Sequence, residues 1–129
     1  MIEIRISFKE MCERFGVTPR TLRYYEYIEL LSPEREGRSR FYSAREVARM
    51  TLIMRGRRFG FSLEEIRQWL EIYDQQGTRA QMEAWVVMAD SQLADLRKRQ
   101  EELAQTIAEL EGLRADTSRS LEECDREQD

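Results

Sequence analysis

The chain has 129 residues, of which 41% are hydrophobic and 36% are charged, and its formal net charge at pH 7 is -4. This length allows one small hydrophobic core with an extended element and excludes two large domains. The sequence shows neither a signal peptide nor a run of about 18 apolar residues, so we expect a cytoplasmic location. It contains no histidine and no glycine-rich phosphate loop, which argues against an enzyme.

The charge is distributed unevenly along the chain. Residues 18–58 contain ten arginines and five acidic residues, a net charge of +5, whereas residues 77–129 contain seven basic and thirteen acidic residues, a net charge of -6. An evenly spread negative charge would argue against nucleic acid as a partner. A basic module joined to an acidic one instead predicts an electrostatic footprint at one end of the molecule.

The first 17 residues predict a short strand and a helix. The strand is expected at residues 3–6, and Ser7 with Glu10 forms a capping box for a helix that ends near Phe15. One face of this helix is predicted to be buried, which makes its cysteine most simply a small core residue; the face consists of Phe8, Met11, Cys12 and Phe15. The Gly16-Val17 turn then leads into a second helix, which completes a helix-turn-helix.

The second helix is predicted to start at the N-cap Thr18, with Pro19 in its first turn, and to end near Ile28. At about 100° per residue, two arginines and two tyrosines fall on one side and apolar side chains on the other. Guanidinium groups and phenols suit phosphates and base edges. The alternative is a solvated surface face. The polar side consists of Arg20, Arg23, Tyr24 and Tyr27, and the opposite side contains Leu22 and Tyr25.

A basic hairpin is predicted directly after this helix. Pro33 closes the helical segment, and three arginines flank a Glu36-Gly37 turn before the aromatic pair Phe41-Tyr42. Two acidic residues dilute the charge, which leaves open that the arginines are only solvated. Beside a helix of this kind, however, such a hairpin is more often a wing that grips the phosphate backbone. The three arginines are Arg35, Arg38 and Arg40.

The segment from Thr18 to Ser43 resembles the signature of the MerR family of bacterial transcription regulators, which runs T-(I/L)-R-Y-Y-E-x-x-G-L-L-x-P-x-R and continues into a wing ending in R-x-Y. Two positions depart from it. Glu29 stands where the family usually has glycine, which costs about 1 kcal/mol if the position is left-handed. Arg38-Ser39 replaces a common Gly-Tyr, so that aromatic contact cannot be transferred. The matching positions are Thr21 to Glu26, Leu30-Leu31, Pro33, Arg35 and Arg40-Phe41-Tyr42.

Two further helices are predicted after the hairpin. The first begins at a capping box of Ser43 and Glu46 and reaches about Arg58, with apolar residues on one side and arginines on the other: Val47, Met50 and Met54 against Arg45 and Arg49. The second begins at a capping box of Ser62 and Glu65, and its buried stripe, with Trp69 at the edge, is Leu63, Ile66, Leu70 and Tyr73. The resemblance makes the connection between them, which contains Arg57 and Arg58, a second wing where arginine and a helix N-terminus meet phosphate.

A long helix is predicted from about Thr78, which with Gln81 forms a fourth capping box. Its heptad register has apolar residues at both seam positions, and only Gln100 interrupts the seam, so a dimerising coiled coil is indicated. The alternative is a helix of about 50 Å that packs back on its own domain, which offers no obvious face of that size. The seam consists of Met82, Ala89, Leu96, Leu103 and Leu110 at d, and Val86, Leu93, Gln100 and Ile107 at a.

Trp85 and Met88 lie off this seam and are predicted to pack on the basic domain of the same or the partner subunit. In the MerR family this junction relays effector occupancy to the DNA-binding arms. Together with Trp69, these residues are therefore our candidate junction for a small-molecule effector.

Members of the family that sense metals use cysteines just past the long helix, where this chain has only Cys124. One thiolate cannot build such a site within a chain, although two subunits could share one. A metal- or thiol-responsive regulator that uses Cys124 remains an alternative. An architectural DNA-binding protein such as an excisionase is another, and a coiled-coil scaffold without DNA binding is a third.

The predicted fold class is mainly α: a winged helix-turn-helix at residues 1–76, a dimerisation coiled coil at 77–120 and a polar tail at 121–129. The resemblance implies a homodimer that binds a palindromic promoter operator beside RNA polymerase and distorts the DNA in response to a small effector. Because Cys124 is a single thiolate, we expect no cofactor and no metal. Two segments, REGRSRFYS and RRFGFSLEEIRQWLEIYD, look most like the branch that regulates leucine, isovalerate and isoprenoid breakdown, which implies an acyl-CoA-like inducer. The predicted DNA contacts are Thr18, Arg20, Arg23, Tyr24, Tyr27, Arg38, Arg40, Tyr42, Arg57 and Arg58.

Overall fold

A computed structural model of the chain describes residues 4–128, apart from the side chain of Tyr73. It is mainly helical, with one small sheet, and it divides into two compact units between Trp85 and Val86. We refer to these as the N-terminal unit and the C-terminal unit. The elements in chain order are β1 (Arg5–Ser7), α1 (Phe8–Phe15), α2 (Pro19–Tyr27), β2 (Glu34–Glu36), β3 (Ser39–Ser43), α3 (Ala44–Arg58), α4 (Leu63–Gln76) and α5 (Thr78–Glu127).

The helices of the N-terminal unit start where side-chain capping was predicted. The hydroxyls of Ser7, Thr18 and Ser43 each accept a hydrogen bond from the backbone N–H three residues on, at 3.2, 3.1 and 3.4 Å. Ser62 and Glu65 form the complete reciprocal capping box. The predicted cap at Thr78 is wrong, because α5 already includes Thr78 as its first residue.

The sheet has the order β1-β3-β2, and both pairings are antiparallel. β3 is therefore the central strand, with Tyr42 opposite Ile6 and Arg40 opposite Arg35. The hairpin turn is Gly37-Arg38, one residue later than predicted, and Gly37 has the positive φ of 60° that such tight turns favour. β1 is also displaced toward the C-terminus relative to the predicted strand, whose residue Glu3 lies outside the described residues.

The core of the N-terminal unit forms where α1 and α3 pack against the sheet, with α2 packed on α1 and α4 packed on α3. Most of the predicted apolar stripes of α2, α3 and α4 are buried, and Ile53 adds a buried residue that the periodicity did not single out. Met54 of α3 and Leu63 of α4 are half-buried, and the side chain of Tyr73, also predicted for the α4 stripe, lies outside the described residues. The buried members are Leu22, Tyr25, Val47, Met50, Ile66 and Leu70. In α1 only Met11 is fully buried, and Phe8, Cys12 and Phe15 are half-buried. The fully buried side chains are Met11, Leu22, Leu30, Leu31, Tyr42, Met50 and Ile53.

Helices α3 and α4 approach each other closely at Gly56. A Cβ atom at this position would lie 2.9 Å from Cδ1 of Ile66, a side chain that is itself buried. The contact therefore depends on the absence of a side chain at residue 56.

Helix α5 spans 50 residues and has no buried residue of its own. It continues to Glu127, so residues 121–127, which were predicted as a polar tail, are helical. None of the helices in the described part of the chain is long and apolar enough to cross a membrane.

Candidate nucleic-acid interface

Helix α2 presents the predicted polar face to solvent. Arg20 and Arg23 are exposed, and Tyr24 and Tyr27 have 51% and 83% of their surface accessible. Leu22, on the opposite side, is completely buried. This helix is therefore held by its apolar face, and its two guanidinium and two phenol groups are available to a ligand.

The C-terminus of α2 is shaped by a left-handed residue. Glu29 has φ 63°, the conformation that favours glycine, as its departure from the MerR signature had indicated. The backbone N–H groups of Glu29 and Leu30 donate to the carbonyls of Glu26 and Tyr25, which satisfies the helix end. The chain can then turn back so that Leu30 and Leu31 enter the core.

Thr18 was predicted as a DNA contact and acts here as a capping residue. Its hydroxyl accepts from the Thr21 backbone N–H at 3.1 Å and donates to the Thr21 hydroxyl at 3.0 Å. The side chain remains exposed. Its principal role in the structure is thus to start α2 next to Arg20.

In the β2–β3 hairpin, a residue from outside the hairpin pairs with both acidic side chains. Arg5 of β1 lies 3.7 Å from Glu34 and 2.5 Å from Glu36, and its guanidinium is 4.0 Å from the centre of the Phe41 ring. The two acids that diluted the charge of the predicted wing are therefore paired with a cation. Arg38, in the exposed turn, contributes a positive charge at its tip.

Tyr42 cannot clamp a phosphate as predicted, because it has no accessible surface. Its hydroxyl donates to the Glu26 carboxylate of α2. Burial and this carboxylate together raise the pKa of Tyr42 well above its usual range, so the hydroxyl stays protonated. Arg40, also predicted as a phosphate contact, is half-buried, and its Nε lies 3.3 Å from the second oxygen of Glu26. The structure thus assigns both residues to the junction between hairpin and helix.

The connection between α3 and α4 carries the predicted second basic segment. Arg57 and Arg58 close α3 and are exposed, and Nη1 of Arg57 donates to the carbonyl of Phe61 at 3.2 Å. Gly60, with φ 92°, allows the tight turn between them. The arginine pair is therefore presented at one edge of the N-terminal unit, next to the start of α4.

Polar contacts that were not predicted from the sequence hold α3 against the chain that follows α2. Nε of Arg49 donates to the carbonyl of Leu30 at 2.9 Å, and its guanidinium also pairs with Asp74 of α4 at 3.5 Å. The buried carboxylate of Glu46 accepts from the backbone N–H of Ser32 at 3.0 Å. The only signal for these contacts in the sequence was a charged residue beside an apolar stripe, which does not identify a partner.

An aromatic cluster surrounds Trp85, as predicted for a residue off the coiled-coil seam. Its ring centre lies 5.6 Å from that of Trp69, 5.7 Å from Phe61 and 6.3 Å from Phe59. These are distances of packed aromatic pairs. The indole N–H of Trp69 donates to the carbonyl of Gln81 at 3.0 Å, so the cluster joins α4 to the first turns of α5. Met88, the third residue of the predicted effector junction, is half-buried in the C-terminal unit.

The predicted dimerisation seam is an exposed apolar stripe on the single chain. Its large members have between 41% and 66% of their surface accessible, from Leu96 to Leu110, while Ala89 is half-buried and Gln100 is exposed. A stripe of this length is far larger than the scattered apolar residues of an ordinary protein surface. It requires a covering partner.

Both cysteines are unpaired: Cys12 is half-buried and Cys124 is exposed. Burial raises the pKa of Cys12, which keeps it in the less reactive thiol form. Within residues 4–128, no group of three or more Cys, Asp or Glu side chains is placed to hold a metal ion.

Comparison with known proteins agrees with this geometry. Two family models match: one described as MerR, DNA binding, over residues 47–113, and one described as MerR HTH family regulatory protein, over residues 6–72. The HTH-type transcriptional regulator HmrR of Rhizobium leguminosarum bv. viciae is 37% identical over 109 residues, which cover 84% of this chain and 83% of that protein. The chain belongs to the MerR family of DNA-binding transcription regulators.

Solved structures show the same fold. A MerR family transcriptional regulator from Bacillus cereus has a TM-score of 0.67 at 29% identity, covering 81% of this chain and 76% of that one. The regulator HiNmlR, described as lacking the sensor domain and bound to promoter DNA, has a TM-score of 0.62 at 20% identity, covering 81% and 79%. As a member of this family, the protein is a transcription regulator that binds promoter DNA as a dimer, and it is not an enzyme.

Proposed function

We propose that each subunit reads DNA with the exposed face of α2 and holds the flanking backbone with its two basic wings. One observation carries this proposal: α2 has an exposed polar side and, opposite to it, a buried side formed by Leu22 and Tyr25. The exposed side consists of Arg20, Arg23, Tyr24 and Tyr27. Arg20 is proposed to contact a base edge, and Arg23 and the two tyrosines a base edge or the backbone. Arg38 in the first wing and Arg57 and Arg58 in the second are proposed to contact phosphates.

Residues 1–76 are then the DNA-binding domain, and residues 77–120 are the dimerisation helix. Pairing of the α5 seams duplicates the basic surface at a fixed separation, so two copies of α2 can enter successive major-groove segments of a palindromic operator. The dimer would control transcription by distorting promoter DNA, with a free-energy cost that depends on the sequence being deformed. Such a regulator acts where the chromosome and RNA polymerase are, which in a bacterium is the cytoplasm.

We further propose a small effector that acts through the aromatic cluster. Trp69 and Trp85 connect α4 to the start of α5, and α4 follows directly on the second wing, so a ligand there would influence the element that holds Arg57 and Arg58. The two segments that look like the leucine, isovalerate and isoprenoid branch support an acyl-CoA-like compound. Quenching or enhancement of tryptophan fluorescence by acyl-CoA, together with a change in operator affinity, tests this part.

The DNA-reading assignment is tested with operator duplex recovered from a random-sequence pool by the wild-type dimer. We expect Arg23→Ala to weaken binding by about 1–3 kcal/mol. If Arg23 binds phosphate, the slope of log affinity against log salt also falls, by about 0.9 for each phosphate that is no longer neutralised. If Arg23 binds a base, the variant should instead distinguish less well between bases at one operator position. Arg20→Ala is expected to lower the selectivity between bases at the operator position that Arg20 contacts.

The matched control is Arg79→Ala, which removes an exposed arginine that pairs with Glu83 on α5. It should leave affinity and salt slope unchanged. Unchanged operator affinity in both Arg20→Ala and Arg23→Ala would show that α2 is not the reading helix.

A further inference from the structure

A nearly buried carboxylate connects the reading helix to the first wing. The side chain of Glu26 in α2 has only 7% of its surface accessible and bonds to two residues of β3. One carboxylate oxygen accepts a hydrogen bond from the hydroxyl of Tyr42, and the other lies 3.3 Å from Nε of Arg40. We call these three residues the helix–wing lock.

The chemistry of the lock favours one fixed arrangement of these three side chains. Removing a carboxylate from water costs free energy unless both oxygens find polar partners. Here one oxygen accepts a hydrogen bond from a protonated hydroxyl and the other pairs with a cation. Residues 40 and 42 alternate with Phe41 along the strand, so both project from the same face of β3 toward the same carboxylate. Removal of either partner would leave part of a buried charge unsatisfied.

A further interaction joins the lock to the DNA-reading face. The ring of Phe8 in α1 lies 5.6 Å from the guanidinium carbon of Arg40 and 5.6 Å from that of Arg23. Both cations therefore lie within the range of a cation–π interaction with one ring. An arginine proposed to touch DNA and an arginine of the lock thus share one neighbour.

We propose that Glu26, Arg40 and Tyr42 are positioning residues for operator binding: they fix the first wing relative to α2, so that both surfaces fit one duplex without rearrangement. This inference rests on the DNA-reading role proposed for α2 and the wing. A wing that is already held in place does not lose its conformational freedom when DNA binds, whereas a loosened wing must be ordered at that moment. The lock raises affinity without touching DNA.

The first test is Tyr42→Phe in the full-length dimer, which keeps the buried ring and removes only the hydroxyl. We expect operator affinity to fall by a factor of about 3–10, the usual range for removal of one hydrogen bond. Because no arginine or lysine that binds phosphate is removed, the slope of log affinity against log salt should stay at the wild-type value. The matched control is Tyr25→Phe, which removes the hydroxyl of a buried tyrosine on the same helix outside the lock and should bind as the wild type does.

Two further variants separate positioning from direct binding. Arg38→Gln, in the exposed wing turn, should lower the salt slope by about 0.9, whereas Arg40→Gln should lower affinity at an unchanged slope. Glu26→Gln keeps an acceptor for Tyr42 but removes the charge beside Arg40, so its affinity should fall less than that of Glu26→Ala. Hydrogen exchange of the β3 amides in the free protein should be faster in Tyr42→Phe than in Tyr25→Phe.

The outcomes are distinct. A folded Tyr42→Phe dimer with wild-type affinity overturns the lock while leaving the proposed DNA-reading role intact. A reduced salt slope in Arg40→Gln also overturns it, because Arg40 would then bind phosphate itself. If the proposed function itself is wrong, the wild type will not bind the operator, or Arg23→Ala will bind it as the wild type does. Both results are known before any variant of the lock is measured.

Discussion

The N-terminal and C-terminal units bury apolar surface in different ways. The N-terminal unit covers its own apolar residues: Met11, Leu22 and Met50 are completely buried within a single chain. The C-terminal unit is also rich in leucine, yet α5 has no buried residue at all. The first unit therefore builds its own core, whereas the apolar side chains of α5 stay exposed on the single chain, and we propose that another copy of the chain covers them.

This difference separates the two parts of the function. We propose that base and phosphate contacts belong to the N-terminal unit, whose geometry is set internally. The distance between the two copies would then be set by α5, whose apolar stripe would be covered at the interface. Changes that damage one unit should therefore spare the other, and the following predictions test this separation.

The largest effect is expected from Leu96→Glu, in the middle of the seam. It places a charge from each subunit in the interface, and an uncompensated buried charge costs about 3–5 kcal/mol. Association should weaken at least about a hundredfold, since each 1.4 kcal/mol is a factor of about ten. Analytical ultracentrifugation should show monomers at micromolar concentration, with tryptophan fluorescence unchanged, because Trp69 and Trp85 both lie in the N-terminal unit.

The control for this prediction is Val87→Glu. Val87 is an exposed apolar residue of α5 outside the a and d positions, with 69% of its surface accessible. This variant should remain dimeric. If the Leu96→Glu variant is still a dimer, the predicted seam is not the dimer interface.

A smaller effect is expected from Leu22→Ala, which breaks the N-terminal unit instead. Truncation of a fully buried leucine costs about 2–5 kcal/mol, and the size depends on how far the site can collapse. The denaturation midpoint followed by tryptophan fluorescence should drop while the dimer persists. Ile4→Ala, at an exposed apolar residue of the same unit, should change the free energy of unfolding by less than about 0.5 kcal/mol; equal changes in the two variants would contradict the assignment of the core.

The smallest effect is expected from Glu29→Gly, and its sign is opposite. A side chain in the left-handed region costs about 1 kcal/mol, so its removal should stabilise the N-terminal unit by that amount. Glu36→Gly, at an extended position of β2, should destabilise the protein instead. Chemical denaturation of the two variants gives the comparison, and destabilisation by Glu29→Gly would show that the Glu29 side chain makes a compensating contact.

The elements with local signals could be predicted from the sequence. Thr18 and Pro19 mark the start of α2 by chemistry that acts within one turn, and this start is confirmed. The left-handed backbone at Glu29 had only an indirect signal: the MerR signature has glycine at this position, which pointed to a conformation that glycine favours.

The role of Tyr42 could not be predicted in the same way. Alternation along a strand indicates that residues 40 and 42 share a face, but it does not indicate which face the rest of the protein covers. That depends on β3 being the central strand and on Glu26, sixteen residues earlier in the chain. A single buried carboxylate on a helix that also has an exposed polar face has no periodic signature, so the helix–wing lock appears only in three dimensions.

The exposed stripe of α5 also bears on how the cell sets the output of this regulator. When assembly is needed for tight binding, the amount of the assembled form rises with the square of subunit abundance at low expression, and operator occupancy then responds to gene dosage as a threshold rather than in proportion. A modest change in synthesis or proteolysis of the regulator would therefore change promoter output by a larger factor than it changes the amount of the regulator itself.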